Sequence, residues 1–372
     1  MHVLITADTV GGVWTYTREL VTGLLQRGAR VTLVSFGDMP SPEQTVWMNS
    51  LPDLDYRATA FPLEWMQGAE RGVEESKLYL EAVVREVKPD VLHLNQYAYS
   101  DVAPEYPRVV VAHSDVISWS LAVNGEEPAQ SCWLRWYRET VNNGLGRADV
   151  VVAPSQWMLD AICAIYLRPA HGIVIHNGRR AEEFTANPMK EAFVLTVGRL
   201  WDKGKQVSLL AAADHAIPIC IVGSEEHPES QYRGAIGYAA GRSCLKLLGR
   251  QSQEQLRVLY GQASTYAATS CYEPFGLAPV EAALSHCALV ANDIPVFHEL
   301  WGDAAYYFRK NDPESLAAAI RDLNENPKLR LDYADRAYER ALQQFRAERM
   351  CTEYERLYRT LVAKERARDT AA

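Results

Sequence analysis

The chain has 372 residues, 48% of them apolar and 23% charged, and a formal net charge of −9. That length suits two domains better than one core, and the composition is that of a globular protein, not a disordered one. The negative charge speaks against nucleic acid or a strongly anionic membrane as a whole-surface partner, and no apolar run is long enough to cross a bilayer. Seven cysteines are scattered without close pairing or zinc spacing, which suits reduced thiols. MHVLITADT carries no basic leader before its short apolar run, so a cytoplasmic protein is expected.

In chain order, HVLITA reads as a strand. A loop with Gly11 and Gly12 follows, then a helix through TRELVTGLLQRG that Gly28 can cap. RVTLVSF is the next strand, which completes a βαβ unit and implies a parallel sheet. The pattern continues with the helix EAVVREVKPD and the strands VLHLNQ, RVVVAHS, RADVVVAPS and GIVIHNG. These are continuous apolar runs of the kind buried on both faces. RRAEEFTANPMKEA then loses apolar periodicity, and the domain junction is placed there. A second series runs FVLTVGRL (strand), VSLLAAADHA (helix), IPICIVGS and CLKLLGR (strands). It continues with QEQLRVLYGQA (helix), STYAATSC (strand), PVEAALSHC (helix) and ALVANDI (strand). From SLAAAIRDLNEN onward the chain reads as helical. The expected fold is α/β, two Rossmann-like doubly wound domains facing across a cleft, with ligands at the carboxyl ends of the strands.

Three loops at such strand ends carry candidate chemistry. Gly11-Gly12 lets backbone approach a ligand closely, although its spacing is not the dinucleotide fingerprint; the plainer alternative is a tight turn. In TVGRLWDKGKQV, Arg199 is placed at a strand end and Lys205 at the opening of the next helix, where the pair could hold a diphosphate. The plainer alternative is a solvated surface pair. In SCYEPFGLAPVEA, Glu273 lies just past a strand. Phe275, Gly276 and Leu277 form a turn, Pro279 suits a first helical turn, and Glu281 is placed within that turn. Free amides at a helix start attract an anion, and the two carboxylates suit sugar and ribose hydroxyls.

Together, VGRL…K, LLGR and EPFGL…VEA appear in an order that resembles the retaining glycosyltransferases of the GT-B fold, family 4, also called group 1 glycosyltransferases. The resemblance covers nearly the whole chain and is strongest in its second half. It implies an N-terminal Rossmann-like acceptor-binding domain over 1–180 and a C-terminal nucleotide-sugar-binding domain over 190–345. A terminal helix over 346–372 would cross back to the first domain. Glu273 would bind donor-sugar hydroxyls with the amides of Phe275, Gly276 and Leu277, and Glu281 the ribose. Arg199 and Lys205, with Lys203 as the alternative because the spacing is one residue longer than usual, would hold the diphosphate. Gly12 would approach the phosphates or the acceptor, His113 would lie near the reacting sugar, and Arg250 would sit where the base is read. Asn177-Gly178 matches the turn before the interdomain linker.

The implied activity is transfer of a sugar from a UDP-, GDP- or ADP-sugar to an unidentified hydroxyl acceptor, with an α-linkage, by front-face attack without a metal and without any other cofactor. The acceptor side is less legible. Trp133, Trp136 and Tyr137 could form an aromatic platform or core, and Asp115, Ser118 and Trp119 follow His113 in a loop that could meet the acceptor. No basic, apolar face that would indicate peripheral membrane contact stands out. The alternatives are a non-catalytic nucleotide-sugar-binding protein, a nicotinamide-dependent oxidoreductase and a sugar-nucleotide epimerase. The missing glycine fingerprint disfavours the oxidoreductase, and the order of the motifs the epimerase.

Overall fold

A computed structural model describes residues 1–225 and 244–369. The chain divides into two compact units. The first takes in Met1–Leu121, Glu126–Gly178 and the terminal segment from Ala347. The second takes in Ala122–Gly125 and Arg179–Arg346. Apart from Ala122–Gly125, the chain enters the second unit at Arg179, where the apolar periodicity lapses, and leaves it after Arg346.

The first unit is built on β1 (His2–Asp8), β2 (Arg30–Phe36), β3 (Leu54–Ala58), β4 (Val91–Leu94), β5 (Arg108–Val111), β6 (Val150–Ala153) and β7 (Gly172–Val174). All pairings are parallel, in the order β3-β2-β1-β4-β5-β6-β7. Every residue of β1 is buried. Val3, Ile5 and Ala7 join Leu20 and Val21 of the helix Gly12–Gln26 on one face. Leu4 joins Val73 and Leu80 of the helix Glu70–Val87 on the other. A strand covered on both sides has no polar period, which is why these strands read as unbroken apolar runs. Gly28 adopts the left-handed backbone (φ 78°) expected of a helix cap.

The terminal helix Ala347–Asp369 belongs to this unit. Met350, Cys351, Tyr354 and Tyr358 are buried in the same layer as Val3, Ile5 and Leu20. The approach is close: a Cβ added at Gly23 would lie 2.4 Å from Cys351 Sγ.

The second unit holds β8 (Glu191–Val197), β9 (Ile219–Val222), β10 (Leu245–Gly249), β11 (Ala263–Ala268), β12 (Ala288–Asn292) and β13 (Tyr306–Phe308). Their order is β10-β9-β8-β11-β12-β13, again all parallel. Each sheet is thus a doubly wound, Rossmann-like one whose order reverses next to its first strand, at β1/β4 and at β8/β11. Ligands bind at such points, beyond the carboxyl ends of the strands. β3 and β13 were not anticipated. VSLLAAADHA is helical only over Ser208–Ala212. Among the described residues, no helix is long and apolar enough to cross a membrane.

Candidate functional site

Two loops of the second unit meet beyond β8 and β11. Arg199 lies two residues past β8, and Lys205 ends a 3-10 turn, Lys203–Lys205, three residues ahead of the helix Ser208–Ala212. Lys205 therefore does not open a helix as the sequence suggested. Asp202 organises both cations. Its Oδ2 accepts from Arg199 Nη2 at 2.8 Å, and its Oδ1 accepts from Gly204 N at 2.9 Å, capping the turn. The guanidinium of Arg199 also lies 5.1 Å from the Trp201 ring centroid. The turn is stapled to the loop after β11: Cys271 N donates to Gly204 O at 2.9 Å, and Thr269 Oγ1 to Lys205 O at 2.7 Å.

This stapling delivers Lys205 Nζ to Glu273 Oε2 at 2.5 Å, and Ser270 Oγ donates to the same carboxylate oxygen at 3.1 Å. Lys203 is exposed, so of the two candidate lysines it is Lys205 that touches Glu273. Asn292, fully buried at the end of β12, fixes the loop from below by donating to Ser270 O at 3.2 Å.

Gly276 then caps the helix Leu277–Leu284 with φ 89° and ψ 85°, a backbone that only glycine adopts freely. Pro279 falls in the first turn, as its missing amide hydrogen favours. Glu281 does not. The helix starts at Leu277, so Glu281 is its fifth residue, one turn further in, and the first turn holds no acid. Its carboxylate is engaged elsewhere: Glu281 Oε1 lies 2.9 Å from Nε of Arg179, whose side chain is fully buried. Phe275 turns its ring into the core, edge-on to Phe345 at 5.3 Å. Arg250 is exposed just beyond β10.

Gly12 and His113 belong to the first unit. Gly12 is the exposed first residue of its helix, and Gly11 before it takes the positive φ, 74°. His113 follows β5, and its Nε2 lies 2.8 Å from Asn95 Oδ1. Asn95 Nδ2 donates to Thr6 O at 2.6 Å, so Oδ1 is the acceptor and His113 carries its proton on Nε2. The Tyr16 ring packs edge-on to His113 at 4.6 Å. The network continues inward: His93 Nε2 lies 3.3 Å from Asn95 Oδ1, and His93 Nδ1 lies 2.7 Å from the Tyr358 hydroxyl. His113 retains some solvent exposure. Burial nevertheless lowers both imidazoles to about 3, and His113 lowers His93 further. Both rings are neutral hydrogen-bonding groups at ordinary pH.

The first-unit residues proposed around the acceptor prove to be largely structural. Trp133 and Tyr137 are buried and stacked at 5.5 Å, so they are core and not a platform. Asp115 Oδ1 accepts from Ile117 N and Ser118 N, both at 2.9 Å, and from Tyr166 Oη at 2.9 Å, which makes it a helix cap. Glu64, buried, accepts from Tyr97 N and Ala98 N at 2.9 and 2.6 Å, and burial raises it to about 7. Arg179, Asp202, Asn292 and Asn95 were not singled out from sequence. A pair of arginines directly after the Asn177-Gly178 turn is the sequence signal that would have flagged Arg179.

Paired Rossmann-like sheets, with acids and cations converging beyond β8 and β11, are the framework of a GT-B glycosyltransferase. Two family models match the chain in tandem, Glycosyltransferase Family 4 over residues 10–183 and Glycosyl transferases group 1 over residues 179–340. The chain belongs to the group 1 glycosyltransferases. It is similar to the O-antigen chain mannosyltransferase RfbU of Salmonella typhimurium, 26% identical over 52% of this chain and 56% of that protein. It is also similar to the phosphatidyl-myo-inositol mannosyltransferase of Mycolicibacterium smegmatis, 25% identical over 90% of this chain and 86% of that protein. Among solved structures, sucrose-phosphate synthase from Thermosynechococcus elongatus superposes with a TM-score of 0.81 at 19% identity, covering 98% of this chain and all of that one. HepE of Anabaena, in complex with UDP-glucose, gives 0.75 at 18% identity over 97% of this chain and all of that one. At these identities the two structures share the fold.

Proposed function

We propose that the protein transfers a hexose from a nucleoside-diphosphate sugar to a hydroxyl acceptor, with retention and an α-linkage, in the cytoplasm. The observation that carries this reading is the Lys205–Glu273 pair at 2.5 Å, placed just ahead of the helix start at Gly276. Glu273 would accept hydrogen bonds from donor-sugar hydroxyls, assisted by the amides of Phe275, Gly276 and Leu277. Lys205 and Arg199 would bind the diphosphate, Glu281 the ribose, and Arg250 would sit beside the base. Gly12 and His113 are assigned, by their match to the family motifs, to the phosphates or acceptor and to the neighbourhood of the transferred sugar. The relatives named as mannosyltransferases and the HepE complex with UDP-glucose support a hexose on a nucleoside diphosphate.

In the step envisaged, the bond from the anomeric carbon to the β-phosphate oxygen breaks, and its electron pair stays on the phosphate. The acceptor oxygen bonds the same face of that carbon, and its proton passes to the departing phosphate oxygen. Negative charge grows on the leaving group, and fixed cations stabilise such charge without reorganising. That role would make a metal unnecessary. The experiment is to incubate the protein with UDP-, GDP- and ADP-sugars in EDTA and follow nucleoside diphosphate release. Turnover of one donor supports the proposal. Tight binding of one donor without turnover, with or without candidate acceptors, supports a non-catalytic binding protein instead.

A further inference from the structure

Arg179 is the most deeply buried charged side chain near the proposed donor site, with no exposed surface. Its own position is fixed: the backbone N of Arg179 donates to Phe345 O at 2.9 Å, and its guanidinium lies 5.1 Å from the Phe184 ring centroid. A second acid, Glu183, is 3.9 Å away, but Glu183 is held in closer ion pairs by Arg180 and Arg257. The short contact of Arg179 is the one to Glu281, Nε to Oε1 at 2.9 Å. Glu281 itself keeps 8% of its surface exposed. A buried cation thus grips the carboxylate of a side chain that, at 11% exposure, is not itself fully closed off. A carboxylate left unpaired in such surroundings would be costly, whereas one held by a rigid guanidinium has a fixed plane.

We infer that Arg179 is a positioning residue for nucleotide recognition: it locks the Glu281 carboxylate in the one orientation that accepts hydrogen bonds from the vicinal hydroxyls of a ribose. This rests on the ribose assignment of Glu281 above. Arg179 touches no ligand itself, since no part of it is exposed. Its effect is on selectivity for ribonucleotides over deoxyribonucleotides. A hydrogen bond to a charged group strengthens binding about 10- to 100-fold, and that increment is lost when the carboxylate is free to rotate.

The test uses the full-length chain and whichever of UDP, GDP and ADP binds most tightly, with its 2′-deoxy counterpart as the second probe. Affinities are measured by titration calorimetry for wild type, Arg179→Lys and Arg179→Met, with thermal melting to verify folding. The wild type should prefer the ribonucleotide about 10- to 100-fold. Arg179→Lys keeps the charge but loses the fork, and its preference should fall to about threefold or less while its affinity for the deoxy probe stays near wild type. Arg179→Met should show the same loss; should it fail to fold, Arg179→Lys decides alone. A wild-type preference retained by a folded Arg179→Lys overturns the positioning role and leaves the ribose assignment standing. No preference in the wild type removes the ribose assignment and the positioning role with it.

Discussion

The two units share one winding and differ in the chemistry at their strand ends. In the first, the carboxyl ends of β4 and β5 hold neutral groups in series: Tyr358, His93, Asn95 and His113. In the second, the loops beyond β8 and β11 hold ion pairs, Lys205 with Glu273 and Arg199 with Asp202, and Arg179, ahead of β8, pairs with Glu281. A doubly wound sheet dictates where a ligand sits, not which ligand. The ionic unit is suited to an anion such as a diphosphate. In the neutral one, the two histidines are held uncharged in fixed hydrogen bonds.

Four experiments would break or sharpen this contrast, in decreasing order of expected effect. Glu281→Ala strands the buried Arg179 charge, and losing one partner of a buried pair costs about 3–5 kcal/mol of stability. Chemical denaturation would register that loss along with weakened donor binding; an unchanged midpoint would mean that the pair is not structural. Lys205→Ala should leave the fold intact and lower turnover by about 2.7–4 kcal/mol of barrier, by analogy with loss of an oxyanion-hole donor. Single-turnover kinetics with the active donor decide it, and a wild-type rate constant would refute an electrostatic role for the lysine. Gly23→Ala in the neutral unit forces a methyl against Cys351 and should cost about 1–3 kcal/mol by overpacking. The double change Gly23→Ala/Cys351→Ala should recover most of that loss if the close approach is its cause.

The smallest effect is expected from pH. His113 and His93 are held near 3 by burial, well below the ordinary imidazole value of 6.5. Their depressed values mean that the unfolded chain takes up protons between about 6.5 and 3 that the folded chain refuses, so their contribution to stability falls as pH drops through that window. Glu64, raised to about 7, acts in the opposite sense between 4.5 and 7. The clean readout is therefore spectroscopic: in ¹⁵N-histidine spectra the two rings should not titrate between pH 5 and 8. Asn95→Asp places a carboxylate against His113 and should bring that ring's titration up into the range. A wild-type ring that titrates near 6.5 would contradict the neutral network.

The sequence and the structure agree where burial writes a pattern. β1, β2, β5, β6 and β8 are unbroken apolar runs because helices cover both faces, and each was recognisable as a strand. β3, LDYRA, is half-buried along its length at a sheet edge and shows neither alternation nor a run. β13 has only three residues. At the candidate site, the turn of Glu273 and Gly276 was legible because its residues are local, whereas the meeting of Lys205 with Glu273 across 68 positions was reached only through the family resemblance. Arg179 was not legible, since it meets Glu281 across 102 positions of chain and only the fold puts them together. Asp202 and Asn292 stayed hidden for a related reason: an acid in a turn and an asparagine ending a strand look the same whether they face water or organise a loop. The placement of Glu281 in the first turn failed because the cap proved to be Gly276, which set the helix start one turn ahead of it.

The terminal helix has a consequence for how the polypeptide is made. On a ribosome residues 1–178 emerge with all seven strands of their sheet, yet without Tyr354 and Tyr358, which fill one layer of that unit, Tyr358 bonding His93 and Tyr354 packing its ring edge-on to it. Apart from Ala122–Gly125, the second unit lies between the two pieces, so it is available for folding while its predecessor still waits for the helix Ala347–Asp369. A nascent chain stalled near residue 346 would display an apolar face over β1 and β4 that the finished protein conceals, and holding that face in solution until release is a task suited to chaperones.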